Sequence, residues 1–152
     1  MKKSKTVLIV LCSVIAAAAL IIGGIFIAEK TYFHDKRMTD AVETNFGLKL
    51  PDSAKLVYSQ NDSGWFGDGD YCYVYDLKKE ADQDFVKELS DSAERVTQTK
   101  VNSTLKKLGA DSQINFENEI FCKKAVSEFE DDTYYMFYDP SELRIYAVSY
   151  LT

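Results

Sequence analysis

The stretch "DYCYVYDL", residues 70–77, decides how this chain folds. Its residues alternate with the period of two expected of a pleated strand. Tyr71, Tyr73, Tyr75 and Leu77 fall on one face, and Asp70, Cys72, Val74 and Asp76 on the other. Just upstream, "AKLVYSQ" (54–60) is also strand-like, with Leu56 and Tyr58 predicted to point one way and Val57 and Ser59 the other. Between the two strands lies "SGWFGDGD" (63–70), a costly loop for a simple turn. It holds three glycines, two carboxylates and the chain's single tryptophan beside a phenylalanine.

Toward the carboxyl end, "TYYMFY" (133–138) and "ELRIYAVSY" (142–150) flank "DPSE". Proline at the second position of a type I turn presets φ, so these segments read as a hairpin. Between the two strand pairs runs a polar, helix-prone stretch from Lys79 to Leu108. Phe85, Leu89, Ala93 and Val96 form one amphipathic stripe, and Val101, Leu105 and Leu108 a second that stops at Gly109. One helix or two both fit, because "SDSAERVTQTK" is rich in weak helix formers. The segment Ile114 to Val126 suits either period. Ahead of the first strand, Thr31 to Phe46 carries Phe33, Met38, Val42 and Phe46 near one stripe, then meets Gly47 and Pro51. The predicted class is α+β: an antiparallel sheet of about four strands in two hairpins, packed on two or three helices.

Further out, residues 6–28, "TVLIVLCSVIAAAALIIGGIFIA", contain no charge. As a helix these 23 residues reach roughly 34 Å at about 1.5 Å per residue, enough for a bilayer core of about 30 Å. The predicted organisation is a cytoplasmic amino terminus (1–5), a transmembrane helix (6–28), a juxtamembrane helix (29–46) and an extracytoplasmic domain (47–152). A cleaved signal peptide is the rival, with Lys2, Lys3 and Lys5 as its basic end and Ala16 to Ala19 as its cleavage site. Cleavage there would leave "LIIGGIFIA" as a greasy new terminus. Cys12 as a lipidation site fits poorly, because Leu11 precedes it where processing needs a small residue. The three amino-terminal lysines, with no acid among them, place that end in the cytoplasm. Ala19 and Gly23 form a small-xxx-small pair that lets helices approach, a feature common in alanine-rich spans.

Beyond residue 28 stand 15 Lys and Arg against 24 Asp and Glu, a net −9. That balance speaks against nucleic acid as a partner, and equally against clinging to anionic lipid headgroups; a cationic partner or simple solubility fits better. The expected partners are the membrane itself and another membrane or envelope protein. Catalytic constellations are thin. The one histidine, His34, leaves no Ser-His-Asp set and no histidine-based zinc site. The carboxylate pair Asp68 and Asp70 fits a cell-envelope hydrolase, but 24 acids produce such pairs by chance. "DGD" is a fragment of calcium loops without their acid ladder. No metal and no cofactor is expected. Cys72 and Cys122 read either as a disulfide closing a loop of about 50 residues or as two buried thiols.

The aromatic loop carries the remaining hypothesis. Its glycines permit positive φ, and Asp62 and Asp68 can accept hydrogen bonds from its backbone. Trp65 and Phe66 then either plug the end of the core or stand exposed in an acidic rim, where tryptophan often anchors a partner. The candidate contact residues are Trp65, Phe66, Asp68 and Asp70.

Leu50–Pro51, the strand end "VYSQND" (57–62), the glycine-aromatic-GDG loop from Gly64 to Gly69 and the terminal "YYMFYDPSELRIYAVSY" (134–150) together resemble a group of small, membrane-anchored or exported proteins of Gram-positive bacteria, chiefly Firmicutes. The likeness covers residues 46–77 and 133–150. It implies a bacterial origin and a membrane or exported location. No activity comes with it, and so no catalytic residue. The chain then reads as a single-pass membrane protein with a non-catalytic outer domain for protein or ligand contact. A hydrolase using the loop carboxylates, and an accessory subunit gripping another membrane protein through the Ala19–Gly23 face, are the alternatives.

Overall fold

The computed structural model describes residues 20–22, 34–62, 68–127 and 132–151. The chain divides into two compact units, Met1–Met38 and Thr39–Thr152. In the first unit, residues 20–22 and 34–38 are helical, and Leu20, Ile21 and Ile22 are exposed. The span expected over 6–28 lies, apart from those three residues, outside the described residues. Among the described residues no helix is long and apolar enough to cross a membrane.

The second unit is an α+β fold built on one five-stranded antiparallel sheet. Its strands are β1 (Ala54–Asn61), β2 (Gly69–Leu77), β3 (Phe121–Val126), β4 (Thr133–Asp139) and β5 (Arg144–Leu151), in the order β1-β2-β5-β4-β3. Three helices accompany it: α1 (39–46 in this unit), α2 (Gln83–Glu88) and α3 (Arg95–Lys107). The two expected hairpins are present, and β5 pairs with β2 to join them into one sheet. The fifth strand, β3, comes from the segment whose period was ambiguous.

Both faces of the sheet are covered, because "DYCYVYDL" is apolar on both. On one face Tyr75 and Leu77 meet Met136, Tyr138, Ile145 and Ala147 under Val42, Phe46, Leu50, Phe85 and Leu89. On the other, Cys72 and Val74 meet Phe137, Tyr146, Val148 and Tyr150 under Val101 and Leu105. The result is three layers, with α2 and the end of α1 on one side of the sheet and α3 on the other. Leu56 and Tyr58 do not share a face as expected. A bulge between them shifts the register of β1, so Leu56 packs with the first cluster and Tyr58 with the second.

The helix ends follow local rules. Gly47 (φ 57) closes α1, with Gly47 N–H donating to Thr44 O (3.2 Å) and Leu48 N–H to Glu43 O (3.1 Å). Gly109 (φ 82) closes α3 in the same way through Lys106 O and Leu105 O. These are paired Schellman bonds, and they require a residue at ease with positive φ. The Lys79–Leu108 stretch forms two helices. Asp82 caps α2 by accepting from Phe85 N–H at 2.8 Å. Ser90 and Asp91 then leave the helix and bridge to Cys122 on the outer edge of β3. Asp91 N–H donates to Cys122 O (2.9 Å), and Lys124 N–H to the Asp91 carboxylate (2.7 Å). After this break α3 packs in the other core cluster, on the opposite face of the sheet from α2. Phe85 and Leu89 are buried as expected, but Val96 is 78% exposed, which corrects its place on the buried stripe.

The β4–β5 turn spans residues 140–143 and ends with Leu143 at φ 52. Asp139, fully buried at its start, accepts from Ser141 N–H (2.9 Å), Ser141 Oγ (2.6 Å) and Glu142 N–H (3.3 Å). These bonds satisfy a carboxylate that burial would otherwise penalise.

Candidate functional site

The β1–β2 connection is closed at its base. Asp62 N–H donates to Asp70 O (3.1 Å), and Asp70 N–H donates back to Asp62 Oδ1 (2.7 Å). The self-capping expected of Asp62 is therefore present. Gly69, at φ 144, enters β2 in a conformation that a side chain would resist. Lys107 at the end of α3 then reaches both carboxylates: its Nζ donates to Asp62 Oδ2 and, at 3.2 Å, to Asp70 Oδ2.

The charge balance follows from this geometry. The Lys107 ammonium and the Asp70 backbone N–H hold the Asp62 carboxyl below its ordinary pKa. Asp62 and Asp70 in turn raise that of Lys107. Asp68 stands exposed beside the clamp. Trp65 and Phe66 lie outside the described residues, as do all of residues 63–67. Of the four candidate contact residues, Asp70 is tied into the base and Asp68 is exposed. Lys107 was missed by sequence reading, because a partner 37 residues from Asp70 leaves no local signal.

A second polar cluster escaped the sequence reading as well. Arg144 Nε donates to Asp76 Oδ1 (2.7 Å) and Nη1 to Ser112 Oγ (3.0 Å). The buried Tyr146 hydroxyl lies 3.2 Å from Ser112 Oγ and donates to Glu142 Oε2 at 3.0 Å. The cluster borders a cavity of about 180 Å³ walled by Val57, Tyr58 and Val74. It fastens the segment after α3 to β2 and β5, with the one guanidinium matched to neighbouring carboxylates. Its only sequence signal was a charged residue opening the apolar run of β5.

Among the described residues, Cys72 and Cys122 are two separate buried thiols, which corrects the disulfide alternative. β2 and β3 stand three places apart in the sheet order. At about 4.8 Å per strand that is roughly 14 Å, twice the reach of a disulfide of about 7 Å between Cα atoms. Cys72 and Cys122 face the same side, in the α3 cluster. Burial pushes each thiol up to about 12, so neither is a ready thiolate. His34 opens the described part of α1 and is exposed. Among the described residues no three His, Cys, Asp or Glu side chains are grouped as metal ligands.

No protein-family model, no curated protein and no solved structure matches the chain.

Proposed function

We propose that the chain is a single-pass membrane protein, amino terminus inside, whose α+β domain works outside the membrane by contact rather than catalysis. Trp65, Phe66, Asp68 and Asp70 form the contact, offered to a membrane or envelope protein or a ligand. The observation that carries this reading is the closed loop base. One backbone bond, one backbone-to-carboxylate bond and a lysine shared by Asp62 and Asp70 join the two ends of the segment that holds the aromatic pair. Fixing the ends lowers the entropy lost when that segment orders against a partner. The uncharged stretch 6–28 supports the membrane location.

The hydrolase alternative needs a carboxyl with a raised pKa to act as general acid. Its pair is Asp68 and Asp70, and Asp70 is already held by Lys107 at 3.2 Å and by the loop base, which ties up one member of the pair. The test is a pull-down from solubilised membranes with the intact chain beside Trp65→Ala. Loss of a specific partner with the fold retained supports the loop. Identical partner lists for the two forms refute it. Loss of a partner only when residues 6–28 are replaced by polyleucine assigns the contact to the Ala19–Gly23 face instead.

A further inference from the structure

The acidity of the outer domain is not evenly spread. Helix α3 carries Arg95, Lys100, Lys106 and Lys107 and no acid along its 13 residues. Arg95, Val96, Lys100, Lys106 and Lys107 are all exposed, on the side turned away from buried Val101 and Leu105. Lys107 is committed to the loop base. Lys100 lies 3.6 Å from the centre of the Tyr150 ring, a contact that leaves its positive charge uncancelled by any acid. Among the described residues Arg95, Lys100 and Lys106 make no ion pair, although Glu94 and Asp111 flank the helix in sequence. Arg95 also sits in the first turn of α3, where the helix dipole disfavours a cation. Helix stability therefore does not explain its charge.

The acids concentrate across the sheet. Residues 79–91, which include α2, hold five acids and two lysines. Packed layers stand about 10 Å apart, so α2 and α3 are separated by roughly 20 Å. Screening at physiological salt acts over about 8 Å, so the acids of the α2 side do not cancel the α3 cations, while Glu94 at the start of the helix and the Asp62–Asp70 pair on Lys107 lie close to them.

We propose that α3 is a lipid-reading face, which docks on the anionic phosphate headgroups of the bilayer that holds the same chain. The inference rests on the membrane anchor proposed above. Three uncompensated cations with exposed Val96 among them match an anionic interface with a shallow apolar margin. A tethered domain needs only a weak contact, because the anchor keeps the surface at high effective concentration. The net −9 of the outer part works against this docking, so the contact requires the tether.

The test uses the full chain in nanodiscs of phosphatidylcholine, with and without phosphatidylglycerol. Lysine acylation at Lys100 and Lys106 is followed by mass spectrometry. The expected result is slower acylation of both lysines only in discs with phosphatidylglycerol, and recovery in high salt. A cation near such a surface is worth roughly fivefold in the docking equilibrium. The double variant Arg95→Gln, Lys106→Gln should therefore shift it about 25-fold and restore Lys100 labelling. Lys79→Gln, which changes an exposed cation outside α3, should leave the protection unchanged. Equal rates in both lipids overturn the docking while the anchor stands. Protection in both lipids that grows with the number of chains per disc overturns it in favour of contact between copies. A chain that washes off the discs in alkaline carbonate overturns the anchor and the docking together.

Discussion

Reduction should leave the stability of the domain unchanged. Cys72 and Cys122 lie on strands separated by two others, and both are buried free thiols. Had they been bonded, the bridge would close a loop of about 50 residues and contribute roughly 4 kcal/mol through loop-closure entropy. A domain of this size loses about 1–1.5 kcal/mol per molar urea, so removing such a bridge would lower the unfolding midpoint by about 3 M. The three-layer fold instead predicts superimposable urea curves with and without reductant. The assay is equilibrium unfolding of the full chain in detergent, followed by tyrosine and tryptophan fluorescence. A thiol reagent gives the second readout. Buried thiols pushed up to about 12 should react only as the domain opens, and both should then be counted. A midpoint that falls by molar amounts on reduction, or a missing thiol in the unfolded chain, would refute the strand order on which both faces of the core depend.

Further outcomes follow from the same structure. Leu105→Ala should cost about 2–4 kcal/mol by leaving a cavity under the sheet, whereas Val96→Ala should change stability by less than about 0.5 kcal/mol, both read from urea midpoints. Equal costs at the two positions would contradict the burial of Leu105 and the exposure of Val96 on α3. The Asp62 carboxyl has a lowered folded pKa, so its contribution is present above the ordinary carboxylate value of 3.8 and is lost as pH falls through the lower folded value. Carbon NMR of the Asp62 carboxyl should therefore titrate below its ordinary value, and Lys107→Met should move the titration upward. An unmoved midpoint in that variant would remove Lys107 from the loop base.

Much of the fold was legible where the signal was local. The alternation in "DYCYVYDL", the proline turn of the β4–β5 hairpin, and Gly47 and Gly109 as helix stops each need only neighbouring residues to be read. What stayed hidden depends on distant partners. The strand β3, "FCKKAV", interleaves two lysines with apolar residues and becomes a strand by pairing with β4. The bulge after Leu56 is set by the register against β2, not by residue type. Asp91 bonds to the edge of β3, and the break at Ser90–Asp91 turns Val96 out to solvent. At the candidate site, the Asp62 cap was readable from its own loop. The lysine that neutralises it arrives from the far end of α3.

The side of the membrane on which the α+β domain lies decides the proposed function most directly. Cells expressing the chain with a carboxyl-terminal tag can be shaved with protease, and the membranes then extracted with alkaline carbonate and the retained chain weighed by mass spectrometry. The account predicts that the tag is lost to external protease while a fragment beginning at residue 1 resists extraction. A tag protected in intact cells, or a mature chain beginning after Ala19, would contradict it.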